Sequence, residues 1–160
     1  MKISQQIFPR VVALIATFSN KQKRDNVMTA SFVMPLSFEP KYLAFSISPK
    51  RYTFEILNER KEFTFNICDE NLLECAKICG SYCGREKDKF KLANLTKEKS
   101  KFVLPPTIKE CPISFECQLI KMEEFGDHFL AVGKVLNERV RKENFSPLLH
   151  KSQDIFLKVK

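Results

Sequence analysis

The sequence predicts a mainly β protein built as a closed or split antiparallel barrel. Six or seven short runs are rich in β-branched and aromatic residues, and several alternate apolar with polar positions. Most are joined by brief turn sequences. Only two segments have helical spacing, so crossover helices are lacking to cover a parallel sheet.

Each element follows from its residues. "RVVALIATFS" (10–19) is a strand, "NKQKRDN" (20–26) a polar turn, and "NVMTASFVM" (26–34) the returning strand of a hairpin. "PLSFEPK" (35–41) is punctuated by Pro35 and Pro40 and reads as a loop, and "YLAFSIS" (42–48) as the third strand. "TFEILNERK" (53–61) suits a short helix with Thr53 as N-cap and Glu55 in its first turn. "EFTFNIC" (62–68) alternates Phe63, Phe65 and Ile67. In "DENLLECAKICGSYCG" (69–84), Asp69 caps a helix that Gly80 or Gly84 terminates. Residues 85–100 read as an exposed, charged connector. Strict alternation marks 112–125 as a strand. It turns at Gly126-Asp127 into a second strand, and 154–160 is a final one.

At 160 residues, with 44% hydrophobic and 29% charged residues, the chain fits a single domain over 1–160. The longest early apolar run, 11–18, is too short to span a bilayer as a helix, and no cleavage-site pattern follows it. A cytoplasmic protein without membrane contact is expected. The net charge of +8 suits an anionic partner, but the lysines are scattered, which favours a solvated surface. A nucleic-acid barrel would use Tyr52, Phe63 and Phe65 for stacking; against it, these aromatics alternate as core residues do. Of six cysteines, Cys75, Cys79 and Cys83 fall at helical spacing. Without a CxxC or a nearby histidine they read as apolar fillers rather than a metal or redox site.

The stretch "NVMTASFVMPLSFEPKYLAFSISPKRYT" (26–53) carries the functional signal. Thr29 and Ser31 share one strand face, and Ser46 and Ser48 another. If the two strands are neighbours, four hydroxyls converge on one patch suited to the polar edge of a flavin or pterin. Equally, Thr29 can reflect β-propensity and the serines can bond local backbone. Ser48, Lys50, Arg51 and Thr53 then precede a helix start, whose free N–H groups and partial positive charge suit a phosphate.

"NVMTASFVMPLSFEP", "LAFSISPKRYT", "CGREKDKF", "PISFECQL" and "GDHFLAVGKV" occur in an order that resembles the flavin reductase-like family, over roughly residues 7–150. The resemblance implies an antiparallel FMN-binding split β-barrel of Greek-key type with short flanking helices. It implies tightly bound FMN along Asn26, Met28, Thr29, Ala30 and Ser31, whose backbone and hydroxyl groups would meet the ring's carbonyl edge. Phe32 stands where the family often has Trp. Ser46, Ser48, Arg51 and Thr53, with Lys50, would hold the ribityl chain and phosphate. Gly84, Arg85 and Lys89 would approach the phosphate or outer ring, from this subunit or its partner. His128 is the catalytic candidate, meeting the nicotinamide or acceptor. The implied activity is electron transfer from NADH or NADPH through FMN to free flavin, a ferric complex or a partner protein, in a homodimer. A flavoredoxin-like carrier without direct nicotinamide oxidation is the alternative.

Overall fold

The computed structural model describes residues 1–159. Its strands are β1 (Arg10–Val11), β2 (Ala13–Ser19), β3 (Arg24–Ala30), β4 (Val33–Phe38), β5 (Lys41–Ile47), β6 (Glu62–Ile67), β7 (Lys97–Glu98), β8 (Thr107–Ile108), β9 (Ile113–Phe125), β10 (His128–Val140), β11 (Leu148–Ser152) and β12 (Ile155–Lys158). Helix α1 (Tyr52–Glu59) lies between β5 and β6; α2 (Leu73–Ser81) and α3 (Lys89–Leu92) follow β6. Seven strands form one antiparallel sheet in the order β3-β2-β6-β9-β10-β5-β4. The strands β1, β11 and β12 form a small second sheet, and β7 pairs with β8.

The large sheet curls around one core and presents its back to another. Ala13 and Ile15 of β2 point into the curl with Met28, Phe45, Phe63 and Leu119. Val12, Leu14 and Ala16 point the other way, onto Leu72, Ala76, Cys79 and Phe90 of the helical layer. Both faces of β2 are thus buried, which is why its sequence is an unbroken apolar run. Inside the curl, Gly133 lies so close to Phe63 that a Cβ would sit 2.9 Å from Cε1 of that ring and 3.2 Å from Cys117 Cβ. Phe63 packs edge-on against Phe45 in the space this leaves, their centroids 5.2 Å apart.

Several elements differ from the sequence reading. Only Glu39 and Pro40 of the segment 35–41 form a turn: β4 runs through Pro35 to Phe38 as an edge strand, where a missing N–H costs no ladder bond. Thr53 is not the N-cap of α1. The helix begins at Tyr52 with Arg51 in that position, and Thr53 Oγ1 accepts from Asn26 Nδ2 at 2.9 Å. Asp69 does cap, but over a 3-10 turn (Glu70–Leu72) that leads into α2. Gly80 lies within α2, and Cys83 lies beyond its end. The connector 85–100 contains α3, whose Lys89 and Phe90 are buried. Residue Lys160, at the end of the expected final strand, lies outside the described residues.

Polar anchors hold the long excursion between α3 and β9. Asn66 Nδ2 donates to the Leu14 carbonyl at 3.0 Å, while its Oδ1 accepts from Ile108 N at 3.1 Å. Glu116 is almost completely buried and accepts from Lys101 N, Phe102 N and Asn137 Nδ2. Burial alone would raise its carboxyl. The donated hydrogen bonds and the charge of Arg139 outweigh that and hold it below the ordinary carboxylate value. Glu116→Gln is therefore expected to lower stability by about 1–3 kcal/mol in urea unfolding at neutral pH. A folded-state pKa below the unfolded one contributes stability above the unfolded value, about 4.3, and loses it as pH falls through the folded value. The gap between variant and wild type should accordingly narrow in acid.

Candidate functional site

The sheet's two ends, β3 and β4, do not pair with each other. A cleft of about 380 Å³ opens at this split. Consecutive residues Met28, Thr29, Ala30, Ser31 and Phe32 border it, which a strand can do only along its backbone edge. Opposite them lie Ser46, Ile47 and Ser48, just past the last β4–β5 pair, Val33–Phe45. Ser46 N–H donates to the Phe32 carbonyl at 2.8 Å, which extends the β4–β5 ladder by one bond to the edge of the cleft. The four hydroxyls Thr29, Ser31, Ser46 and Ser48 thus converge, although their strands are not paired neighbours.

The cleft's floor joins α1 to the end of α2. Lys50, Arg51 and Thr53 come from the start of α1, which has no side-chain cap; Phe54 N–H is used by the Arg51 carbonyl, and the Tyr52 and Thr53 N–H groups keep their donor capacity. Gly80, Cys79, Tyr82, Cys83 and Gly84 come from the end of α2 and the loop beyond it. Lys89 reaches in from α3. Its Nζ donates to the Cys79 carbonyl at 3.0 Å, in the last turn of α2, where a cation complements the helix dipole. Burial lowers the Lys89 ammonium below its usual value. Lys50, Arg51 and Lys89 line the cleft together, and no Asp or Glu does.

Asn26 shows how closely this wall is fitted. Its Nδ2 donates to Thr17 Oγ1 at 3.2 Å and Thr53 Oγ1 at 2.9 Å. Its Oδ1, in a side chain 5% exposed, is the one buried side-chain polar atom without a partner among the described residues. Gly84 packs directly on this atom. A Cβ there would overlap Oδ1 and lie 2.9 Å from Asn26 Cγ. The loop is further tied by Arg24 Nη2 to the Gly84 carbonyl at 2.6 Å.

Of the fourteen residues expected from sequence, Arg85 alone does not line the cleft. It turns outward to pair with Glu55 at 2.7 Å and covers the Tyr52 ring at 4.9 Å. His128 lies at the mouth, stacked on Phe32 with centroids 5.9 Å apart. Its Nδ1 is 2.8 Å from Asp127 Oδ1; a carboxylate only accepts, so Nδ1 carries a proton and Nε2 is the nitrogen left for a ligand. Sequence reasoning missed Tyr52, whose hydroxyl is hydrogen-bonded to Ser19 Oγ at 2.8 Å, and the α2 end at Cys79–Tyr82. Nothing in their local pattern distinguishes them from core and cap residues. Burial pushes Cys79 up to about 12, and a hydrogen bond with Cys111 together with burial raises Cys68. Among the described residues no three potential ligands are placed to hold a metal, and no helix is long and apolar enough to cross a membrane.

The fold matches solved structures over nearly their whole length. One is flavoredoxin from Methanosarcina acetivorans, with a TM-score of 0.87 at 23% identity, covering 100% of this chain and 91% of that one. Another is an FMN-binding protein from Thermus thermophilus, with a TM-score of 0.85 at 23% identity, covering 96% and 88%. The family model for the flavin reductase like domain matches residues 4–156, and the chain belongs to that family. An uncharacterized protein of Archaeoglobus fulgidus is 39% identical over 115 residues; the match covers 72% of this chain but only 65% of that protein's length.

Because Gly84 and Asn26 Oδ1 occupy adjoining space, Gly84→Ala should destabilise the fold by about 1–3 kcal/mol. Asn26→Ala should relieve part of that cost. A double-mutant cycle by urea unfolding is expected to give a coupling energy of about 0.5 kcal/mol or more, the pair losing less than the sum.

Proposed function

We propose that this chain binds FMN in the cleft and acts as an oxidoreductase, passing electrons from NADH or NADPH to an acceptor. The observation that carries the reading is a cleft wall with three cations, an uncapped helix start and no carboxylate. FMN matches this wall in chemistry: it brings a phosphate dianion, a chain of hydroxyls and a planar ring with a polar edge. Asn26, in the cleft wall, keeps one acceptor, Oδ1, that no protein donor uses among the described residues.

In this reading Arg51, Lys50 and the N–H groups at the start of α1 hold the phosphate. Lys89 adds positive charge at a site where the lower dielectric strengthens its attraction for an anion. The edge of β3 and Ser46–Ser48 flank the ring, and Phe32 with His128 closes one side. Bound there, the flavin supplies the two-electron chemistry. The protein's own work is to bind, orient and shield. His128, steadied by Asp127, offers Nε2 to an incoming donor or acceptor molecule.

We also assign a homodimer, with β4 at its interface. Met34, Leu36 and Phe38 are exposed on this edge strand, Phe38 to 95%. They adjoin an apolar groove of about 460 Å³ lined by Val33, Pro35, Leu43 and Phe115. A bare apolar strand edge is a surface natural proteins cover. Phe38→Glu is expected to halve the mass seen by analytical ultracentrifugation; an unchanged dimer would remove β4 from the interface.

Arg51→Ala is expected to weaken FMN binding more than tenfold, about 1.5–3 kcal/mol, in a fluorescence-quenching titration. Wild-type affinity in that variant would contradict the phosphate assignment. Stopped-flow mixing of the FMN-loaded protein with NADH or NADPH tests the donor. Bleaching within a turnover supports the oxidoreductase, and reduction by a protein donor alone supports a flavoredoxin-like carrier.

A further inference from the structure

Three side chains from distant parts of the chain meet beside the β3 wall: Arg10 of β1, His150 of β11 and Ser31. Arg10 Nη2 lies 3.2 Å from His150 Nδ1 and 2.9 Å from the Lys151 carbonyl. Its Nη1 donates to the carbonyls of Ser4, at 2.6 Å, and Ile7, and its Nε is 3.5 Å from Ser31 Oγ. Burial lowers the guanidinium pKa, but it stays protonated at neutral pH and only donates.

His150 Nδ1 must therefore be the acceptor. The neutral ring then carries its proton on Nε2, which is 2.9 Å from the Gln153 carbonyl, a second acceptor. Both ends of the ring thus require the same tautomer. Ser31 Oγ lies 2.8 Å from Nδ1, so the Ser31 proton points at His150 and away from the cleft. Thr29 is in the same condition, since its hydroxyl donates to the Ala76 carbonyl at 2.6 Å. The two hydroxyls were expected to donate to a ring's carbonyl edge. Their protons are committed elsewhere, and what they offer the cleft is lone pairs.

We propose that His150 is a positioning residue: by accepting the hydrogen bond of the Ser31 hydroxyl it leaves Ser31 an acceptor toward the cleft, and so favours the ligand form with the additional ring N–H. The proposal rests on the FMN reading above. Two-electron-reduced FMN carries a ring N–H that the oxidised form lacks. An acceptor wall favours the reduced form and raises the potential of the bound cofactor. Without His150, Ser31 can rotate and present its proton instead.

Nitrogen-15 NMR of the unliganded wild-type protein is expected to show His150 protonated on Nε2. In His150→Phe, the ratio of reduced to oxidised FMN affinity should fall about tenfold, read by spectroelectrochemistry as a drop of about 30 mV for a two-electron couple. His150→Asn returns an acceptor oxygen close to the Nδ1 position, which Arg10 keeps facing inward, and should restore most of the potential. Ser31→Ala, which leaves the His150–Arg10 contact standing, should lower the potential in the same direction and serves if the phenylalanine variant does not fold. An Nδ1–H tautomer, or an unmoved potential in an FMN-loaded variant lacking either partner, overturns the proposal. Failure of the wild-type protein to take up FMN would instead defeat the flavin reading and the redox consequence with it; the tautomer would still decide whether His150 holds Ser31.

Discussion

The constraint on which the rest of the molecule depends is a sheet that curls without closing. A closed barrel satisfies every backbone group with a neighbouring strand, whereas an open one leaves two edges to be dealt with. Here β4 covers part of β5 and then stops, and β3 has a partner on one side only. The β4–β5 ladder ends with the bond from Ser46 N–H to the Phe32 carbonyl. Helices α1 and α2 are packed so that the start of one and the end of the other face the same gap. Backbone donors and acceptors, an uncapped helix and several hydroxyls thereby collect in one place without any unusual local conformation.

Charge sharpens what this gap can hold. A net charge of +8 spread over a surface selects little, but position changes its weight. Lys89 is 5% exposed and has a neutral carbonyl as its hydrogen-bond partner. Arg139 and Arg141, by contrast, pair with Glu98 at 3.0 and 2.6 Å. The three cations that line the cleft face it without a carboxylate in the wall, and this contrast distinguishes an anion site from a solvated lysine-rich surface.

The strands, the hydroxyl pairs and the basic helix start were legible because period-two alternation and turn residues are local signals; Asn26, Met28, Ala30, Gly84, Lys89 and His128 were reached only through the family resemblance. Ser48, Lys50 and Arg51 announced a helix start whether or not Thr53 capped it. What could not be read depended on contacts between distant residues. Pro35 looks like a breaker until β4 is known to be an edge. Lys89 sits in a run of charges indistinguishable from solvated ones until α3 folds it against Cys79. Arg85, inside the same motif as Gly84, turns outward because Glu55, thirty residues earlier, lies one turn along α1. His150 carries no motif at all; its place is set by the pairing of β11 with β1, 140 residues apart.

The two cores have a consequence for how the protein breathes. Ala30 and Ile47 belong to the packing inside the curl, whereas Cys79 belongs to the packing between β2 and the helical layer. The cleft therefore lies on the seam between two hydrophobic units, with one wall in each. Partial opening of the helical layer, a sub-global unfolding event, would part these walls while the strands stayed paired. A molecule gripped from both sides acts as a rivet across that seam, so amide exchange in α2 and α3 should slow far more upon capture than exchange in β9 or β10.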